Sequence, residues 1–466
     1  MMRGLIRERP SQFGFAWPSV DIVIASGLLH KSGHRLSYID ASLDGLTADE
    51  VSQRIKQEDV NAVVSLYSHF YKDNDIKYLH RIKELCPQVQ IVILPDMQYI
   101  LLPQKAKEFL DAQDWLDAII LSITSNDIDR FLEGDRSDNL INLCYRWEGK
   151  AHLGFKDVVA ENDYVIPVPR HDLFKHKRYF LPHSRDLYVT TTVMQFGCPY
   201  QCDFCLDKEA YKKSWCRSPE NVLEELEYIV SCGFNEVYFR DLTFGLNRPR
   251  TIKLCQLLIE KKLPLRWVCT TRVDTVNEEM LTLMKKAGCM CIEFGVESGI
   301  DKTKDIHKKG TTNNQAVKTF EICRRLGIDT VMFVILGFPE ENLEDVRRSL
   351  KFCFDLKGDF LALNLANLLP QTDFEKTVLV SRSMKDEKEN PWENYNFYSQ
   401  NFVHPTINEQ QMRSVLKSSL RNFYLRPTYM FNRLRKMRSW GALMRVSEIG
   451  FRVAKASLIN PKKETI

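Results

Sequence analysis

The chain has 466 residues, 44% hydrophobic and 27% charged, and its 65 Lys and Arg against 61 Asp and Glu leave a formal charge of +4. That balance belongs to a globular protein of two or three domains, and it excludes a disordered chain and a polycation that coats nucleic acid. Apolar runs such as Val331 to Phe338 fall far short of the ~20 residues of a membrane-spanning helix. The opening Met-Met-Arg-Gly-Leu-Ile-Arg-Glu-Arg-Pro lacks the apolar stretch of a secretory signal, so the expectation is a cytoplasmic protein whose 13 cysteines stay reduced.

In chain order, helical and β-rich patterns alternate from the start. Helices are predicted over 19–31, 48–57, 74–85 and 104–111, and strands over 35–40, 62–67, 90–94 and 118–122. Such alternation reads as an open α/β sheet over residues 1–150, with ligands held beyond the carboxyl ends of its strands. Residues 151–185, rich in Pro, His and aromatics, read as a linker.

From Tyr188 the alternation resumes with tighter punctuation. Strands are predicted over 188–195, 236–240, 265–270, 290–296, 329–336 and 360–366. The intervening helices begin at caps such as Ser218-Pro219 and Asn277, and stop at Gly233, Gly288, Gly327 and Gly358. Six βα repeats with short connections imply a parallel sheet curled into a partial barrel over residues 186–375.

Polar residues then fall at the strand ends that form the mouth of such a barrel. They are Arg240 and Asp241, Thr271 and Arg272, Glu297 and Ser298, Gly337 to Glu340, and Asn364 to Gln371. After the first strand comes Gly197-Cys198-Pro199-Tyr200-Gln201-Cys202-Asp203-Phe204-Cys205, three thiols in a C-x3-C-x2-C spacing. A structural zinc would want a fourth ligand nearby, and none follows before Cys216. Three thiolates on a 4Fe-4S cluster would leave one iron open to a non-protein ligand, which suits catalysis.

This string resembles the cluster loop of the radical SAM superfamily. Trp267 to Asp274, Ala287 to Gly299, Lys309-Gly310 and Ile335 to Glu340 resemble the branch that carries an N-terminal cobalamin-binding domain. The resemblance implies a Rossmann-like N-terminal domain, a partial (β/α)6 barrel, and Cys198, Cys202 and Cys205 as cluster ligands, with S-adenosylmethionine chelating the fourth iron. It also implies Phe204 near the adenine, Asp241 at the SAM amino group, Arg272 and Glu297 at its carboxylate and ribose, and the Gly337 backbone at its adenine. Leu369-Pro370-Gln371-Thr372 departs from the Pro-Gly-Thr usual in the branch. The implied activity is reductive cleavage of SAM to a 5′-deoxyadenosyl radical, fed by an electron donor such as flavodoxin or ferredoxin. With cobalamin, C-methylation of a small molecule, lipid or peptide follows.

In the N-terminal domain Ser32-Gly33-His34 and Tyr38 to Ala41 resemble the branch's opening, and Tyr67 and His69, beyond the second strand, are candidates to face a corrin, with His69 read first as a hydrogen-bonded rim histidine. The glycine turns expected after the third and fourth strands read Leu94-Pro95-Asp96-Met97 and Ser122-Ile123-Thr124-Ser125, so a cobalamin-free isomerase, cyclase or oxidase is the alternative. A non-catalytic iron-sulfur scaffold or sensor is the second. A tRNA methylthiotransferase is disfavoured, because residues 1–150 offer only Cys86 and Cys144 to a further cluster. Residues 376–466 read as a basic helical region. Thirteen Lys and Arg against two acids after residue 410 favour a solvated basic face or contact with an anionic membrane surface over nucleic acid.

Overall fold

The computed structural model describes residues 2–3, 16–68, 72–94, 97–123, 125–137, 139–154, 164–185, 188–210, 214–380, 400–427, 429 and 431. His69, Pro95, Asp96 and most of the basic C-terminal region lie outside them. The chain divides into two compact units, one made of Met1–Pro10 with Pro18–Arg178, the other of Ser11–Trp17 with Tyr179–Ile466.

The first unit is an open sheet of β1 (Met2–Arg3), β2 (Ile39–Asp40), β3 (Ala62–Leu66), β4 (Gln90–Leu94), β5 (Ala118–Ile120), β6 (Leu143–Trp147) and β7 (Lys150–Leu153). Its order is β2-β1-β3-β4-β5-β6-β7. The first five run parallel and the last two add an antiparallel hairpin that the periodicity did not reveal. The helix Ala48–Gln57 starts where its sequence dictates, Thr47 and Glu50 forming a reciprocal capping box. Tyr67, expected to face a corrin, turns into the core instead. It is 4% exposed, with its ring 5.8 Å from Tyr99 and 5.3 Å from Phe109, because the helices Met97–Leu101 and Pro103–Ala112 bring those rings over the strand end.

The second unit is a six-stranded parallel sheet of β8 (Val189–Thr192), β11 (Glu236–Phe239), β12 (Arg266–Thr271), β13 (Cys289–Glu297), β14 (Asp329–Leu336) and β15 (Phe360–Leu365), in the order β15-β14-β13-β12-β11-β8. Between β8 and β11, two short antiparallel strands, β9 (Gln195–Phe196) and β10 (Trp215–Cys216), form a clip with the cysteine loop as its connection. Outward positions of the six strands, among them Val237, Trp267, Phe294, Met332 and Leu363, pack against the surrounding helices in one core. Polar inward positions bond to one another: Tyr238 and Thr270 both donate to the buried carboxylate of Glu293, at 2.5 and 2.9 Å. Arg240 donates to the Tyr238 hydroxyl at 2.8 Å.

The strand exit that feeds the cysteine loop is gripped from below. Arg217 is fully buried and donates to the Val193 carbonyl at 2.9 Å and to the Glu225 carboxylate at 2.5 Å. Removing one partner of such a pair strands a charge in a low dielectric. Glu225→Gln is therefore expected to cost about 3–5 kcal/mol of stability, read as a lowered urea midpoint, while an unchanged midpoint would show that the pair is not desolvated.

Candidate functional site

Asp241 follows β11 and is 3% exposed. Its two oxygens accept from the backbone N–H groups of Met194 and Gln195, at 3.0 and 2.8 Å. Burial pushes its carboxyl up to about 7 against those bonds. With Arg217, it sets the backbone that leads into the clip, where the ring of Phe196 stacks on Trp215 at 4.3 Å.

The loop then carries the three thiols to the mouth. Cys198 Sγ lies 3.5 Å from Thr243 Oγ1, and Cys202 Sγ accepts from Arg272 Nη1 at 3.8 Å. The Cys205 N–H closes a turn on the Cys202 carbonyl at 3.2 Å. Burial raises Cys202 and pushes the Cys205 thiol up to about 12. A bound metal overrides that, because a coordinating thiol is deprotonated outright. Among the described residues no three His, Cys, Asp or Glu side chains converge as ligands of a single metal ion. Each thiolate of an iron-sulfur cluster binds a different iron, so its ligands stand apart around a larger body, and the donor set fits such a cluster.

Arg272, after β12, is 5% exposed. Its guanidinium forks onto Asp274 at 2.9 and 2.8 Å, donates to the Lys309 carbonyl at 2.6 Å and lies 3.6 Å from the centroid of the Tyr200 ring. Glu297 ends β13 with φ of 61°, a left-handed conformation that costs a non-glycine residue energy and clusters at functional sites. Its carboxylate pairs with Lys309 Nζ at 2.7 Å. A Cβ on Gly295 would stand 2.5 Å from that carboxylate oxygen and 2.7 Å from Nζ, so a side chain there would displace the ion pair from its present placement. Gly337 (φ 79°) ends β14. Its N–H donates to Glu341 Oε2 at 2.9 Å, and its carbonyl accepts from Gln400 Nε2 at 2.7 Å.

Two groups here carried no signal in the sequence. His307 is 4% exposed and places Nδ1 2.9 Å from Asp203 Oδ1 and Nε2 2.9 Å from Glu340 Oε1, while its ring stacks on Phe338 at 3.9 Å. Burial opposes its charge, but the hydrogen bonds to Asp203 and Glu340 outweigh that and raise it to about 9. Phe204 stands 5.8 Å from Phe338 and 6.3 Å from His307, ring to ring. Glu341, 1% exposed, also receives the Ser298 hydroxyl at 3.3 Å and caps the Gly337 turn. The mouth thus brings Cys202, Arg272, Glu297 and Lys309 into one set, and Phe204, His307, Phe338 and Glu340 into a second. Asp241 lies behind the loop, engaged by backbone. In the first unit, the described residues at the sheet's carboxyl edge are Tyr67, Ser68, Leu121, Ser122 and Ile123, with no glycine cradle among them.

Burial pushes the Glu341 carboxyl up to about 7, although the Gly337 and Phe338 N–H groups work against it. The unfolded chain ionises this group near 4.5, before the folded one does, so stability falls as pH rises from 4.5 to about 7. Asp241 acts in the same sense. Glu341→Gln is expected to make that decline shallower, measured as urea midpoints on either side of the window; an unaltered decline would remove Glu341 from the account.

Residues 192–353 match the profile described as "Radical SAM superfamily". The chain is 24% identical over 422 residues to an uncharacterized methyltransferase of Pyrococcus horikoshii, covering 89% of each protein. It is 22% identical over 429 residues to the anaerobic magnesium-protoporphyrin IX monomethyl ester cyclase of Cereibacter sphaeroides, covering 88% of this chain and 68% of the relative. Among solved structures, the radical S-adenosylmethionine methyltransferase TsrM of Kitasatospora setae, with cobalamin and a [4Fe-4S] cluster bound, superposes with a TM-score of 0.69. The alignment covers 93% of this chain and 96% of that one at 14% identity.

Proposed function

We propose that this chain, whose residues 192–353 match the radical SAM profile, is a cobalamin-dependent radical SAM methyltransferase acting on an unactivated carbon of a small organic substrate. The observation that carries the reading is the cysteine loop, which presents three thiols, with no fourth cysteine between Cys205 and Cys216, at the mouth of a parallel half-barrel. The fold shared over both units with a cobalamin-bound methyltransferase supports the methyl-transfer part. A structural scaffold would have no use for the buried cations and the strained Glu297 beside those thiols.

When bound, a reduced cluster supplies one electron to the SAM sulfonium, splitting it to methionine and a 5′-deoxyadenosyl radical that abstracts hydrogen, and cobalamin supplies the methyl group. The protein's part is placement. Cys198, Cys202 and Cys205 would hold the cluster. Arg272 and Lys309, set around the Cys202 thiol and the Glu297 carboxylate, offer positive charge to the methionine carboxylate of SAM. Phe204 and the Gly337 backbone would line the adenine, and Phe338 and Phe374 exclude water behind it. Inside the barrel, Glu293, Tyr238 and Thr270 offer hydrogen bonds to a polar substrate group. A small-molecule substrate suits such an enclosed interior. Among the described residues no helix is long and apolar enough to cross a membrane.

The test is anaerobic purification from cells supplied with cobalamin, absorption spectra before and after removal of the cluster, and an assay for 5′-deoxyadenosine with reductant and SAM. A corrin band that survives cluster removal, together with SAM cleavage, is expected. Cleavage without corrin would redirect the chemistry to a cobalamin-free cyclase or isomerase, and no cleavage would remove the enzymatic reading. Cys202→Ala is expected to abolish both the cluster absorption and 5′-deoxyadenosine formation, and retention of either would show that this thiol is not a ligand.

A further inference from the structure

The cysteine loop is tied at one point to the strand-exit turn on the far side of the mouth, and the tie is His307. This residue stands 104 positions from Asp203 and 33 from Glu340. Its two ring nitrogens each lie within hydrogen-bond distance of a different carboxylate. One belongs to Asp203, between the second and third cysteines, and the other to Glu340, in the Gly337-Phe338-Pro339-Glu340 turn. Only a ring carrying both N–H groups donates to both at once. The backbone repeats the connection, since the Asp203 N–H donates to the His307 carbonyl at 3.3 Å and the Asp203 carbonyl accepts from Phe374 at 3.1 Å. The aromatic faces follow: His307 lies on Phe338 at 3.9 Å and meets the edge of Phe374 at 5.3 Å. Phe204, the residue next to Asp203, packs against both His307 and Phe338.

Resting on the radical SAM reading, we infer that His307 is a positioning residue for SAM. By bonding Asp203 and Glu340 together, it fixes the spacing between the cysteine loop with Phe204 and the Gly337 turn, the two walls that would hold the adenosyl group on that reading. It touches none of the three thiols. Its loss should therefore leave cluster assembly intact and loosen the site for SAM, an outcome that a purely structural role would not produce.

The experiment uses the full chain with its cluster reconstituted anaerobically, wild type against His307→Phe and Glu340→Ala, and reads iron content and the electron paramagnetic resonance of the reduced cluster as SAM is added. His307→Phe keeps an aromatic ring on Phe338 and removes both donors, whereas Glu340→Ala removes one half of the tie at a more exposed position and leaves the loop untouched. Iron content equal to wild type is expected in both variants. The SAM concentration at half-maximal spectral change should rise about tenfold for His307→Phe and about threefold for Glu340→Ala, less than the full strength of the lost hydrogen bonds because they act on SAM only through the spacing of the two walls. Glu340→Gln, which keeps an acceptor for the ring, should lie close to wild type. If His307→Phe loses iron through misfolding, Glu340→Ala still decides: a wild-type SAM titration there overturns the inference, as does one for a folded His307→Phe. A wild-type cluster whose spectrum ignores SAM overturns the radical SAM reading itself and this inference with it.

Discussion

Three thiols have to stand still on a loop with almost no regular structure of its own, and the hydrogen bonds that enter the loop from outside are what hold it. A short irregular segment next to a hydrophobic core leaves backbone N–H and C=O groups that must be paired. Here Asp241 takes the N–H groups of Met194 and Gln195, Arg217 takes the carbonyl of Val193, and His307 and Phe374 pair with the backbone of Asp203. The antiparallel clip of β9 and β10 closes the loop's base. Most of the polar features at the mouth are answers to that one requirement.

Much charge is buried in this unit. Arg217 faces Glu225, Arg185 faces Asp329, Arg272 faces Asp274, and Lys309 faces Glu297, each at hydrogen-bond distance. Desolvating a charge is costly, and pairing offsets the cost only where geometry is good and the remaining donors are used. Arg272 meets that condition by spending its other N–H groups on the Lys309 carbonyl and the Cys202 sulfur. Groups without a full counter-charge, Asp241, Glu293 and Glu341, respond by shifting toward the neutral acid. The polar groups inside the half-barrel are thus balanced among themselves, and the apolar core is turned to the helices.

Local signals carried the second unit well. The six strands and the helices between them lie within a few residues of where β-branched runs, Ser, Thr and Asn caps and terminal glycines put them, as with Asn313–Leu326 and Asp329–Leu336. The first unit was legible in four of its five parallel strands, the two-residue β1 being too short to leave a pattern. The β6–β7 hairpin was missed because Leu143 to Trp147 and Lys150 to Leu153 are joined by a bare Glu148-Gly149 turn inside a stretch read as the approach to a linker. Tyr67 misled in the same unit, since a tyrosine at a strand end has the same sequence whether it faces a ligand or, as here, two other rings.

The sequence by itself determined that a parallel half-barrel would follow an open α/β sheet, and that three cysteines would stand at the mouth of the barrel. Strand and helix formation depend on neighbours a few residues apart, and the C-x3-C-x2-C spacing is local too. Only the tertiary structure decided what each polar residue at the mouth does. It turned Asp241 inward to grip backbone, gave Glu297 its strained φ and its Lys309 partner, and joined Asp203 to Glu340 through a histidine from a third segment. Those contacts join separate segments around the strand ends, and no periodicity along the chain encodes which side chains meet when those ends come together.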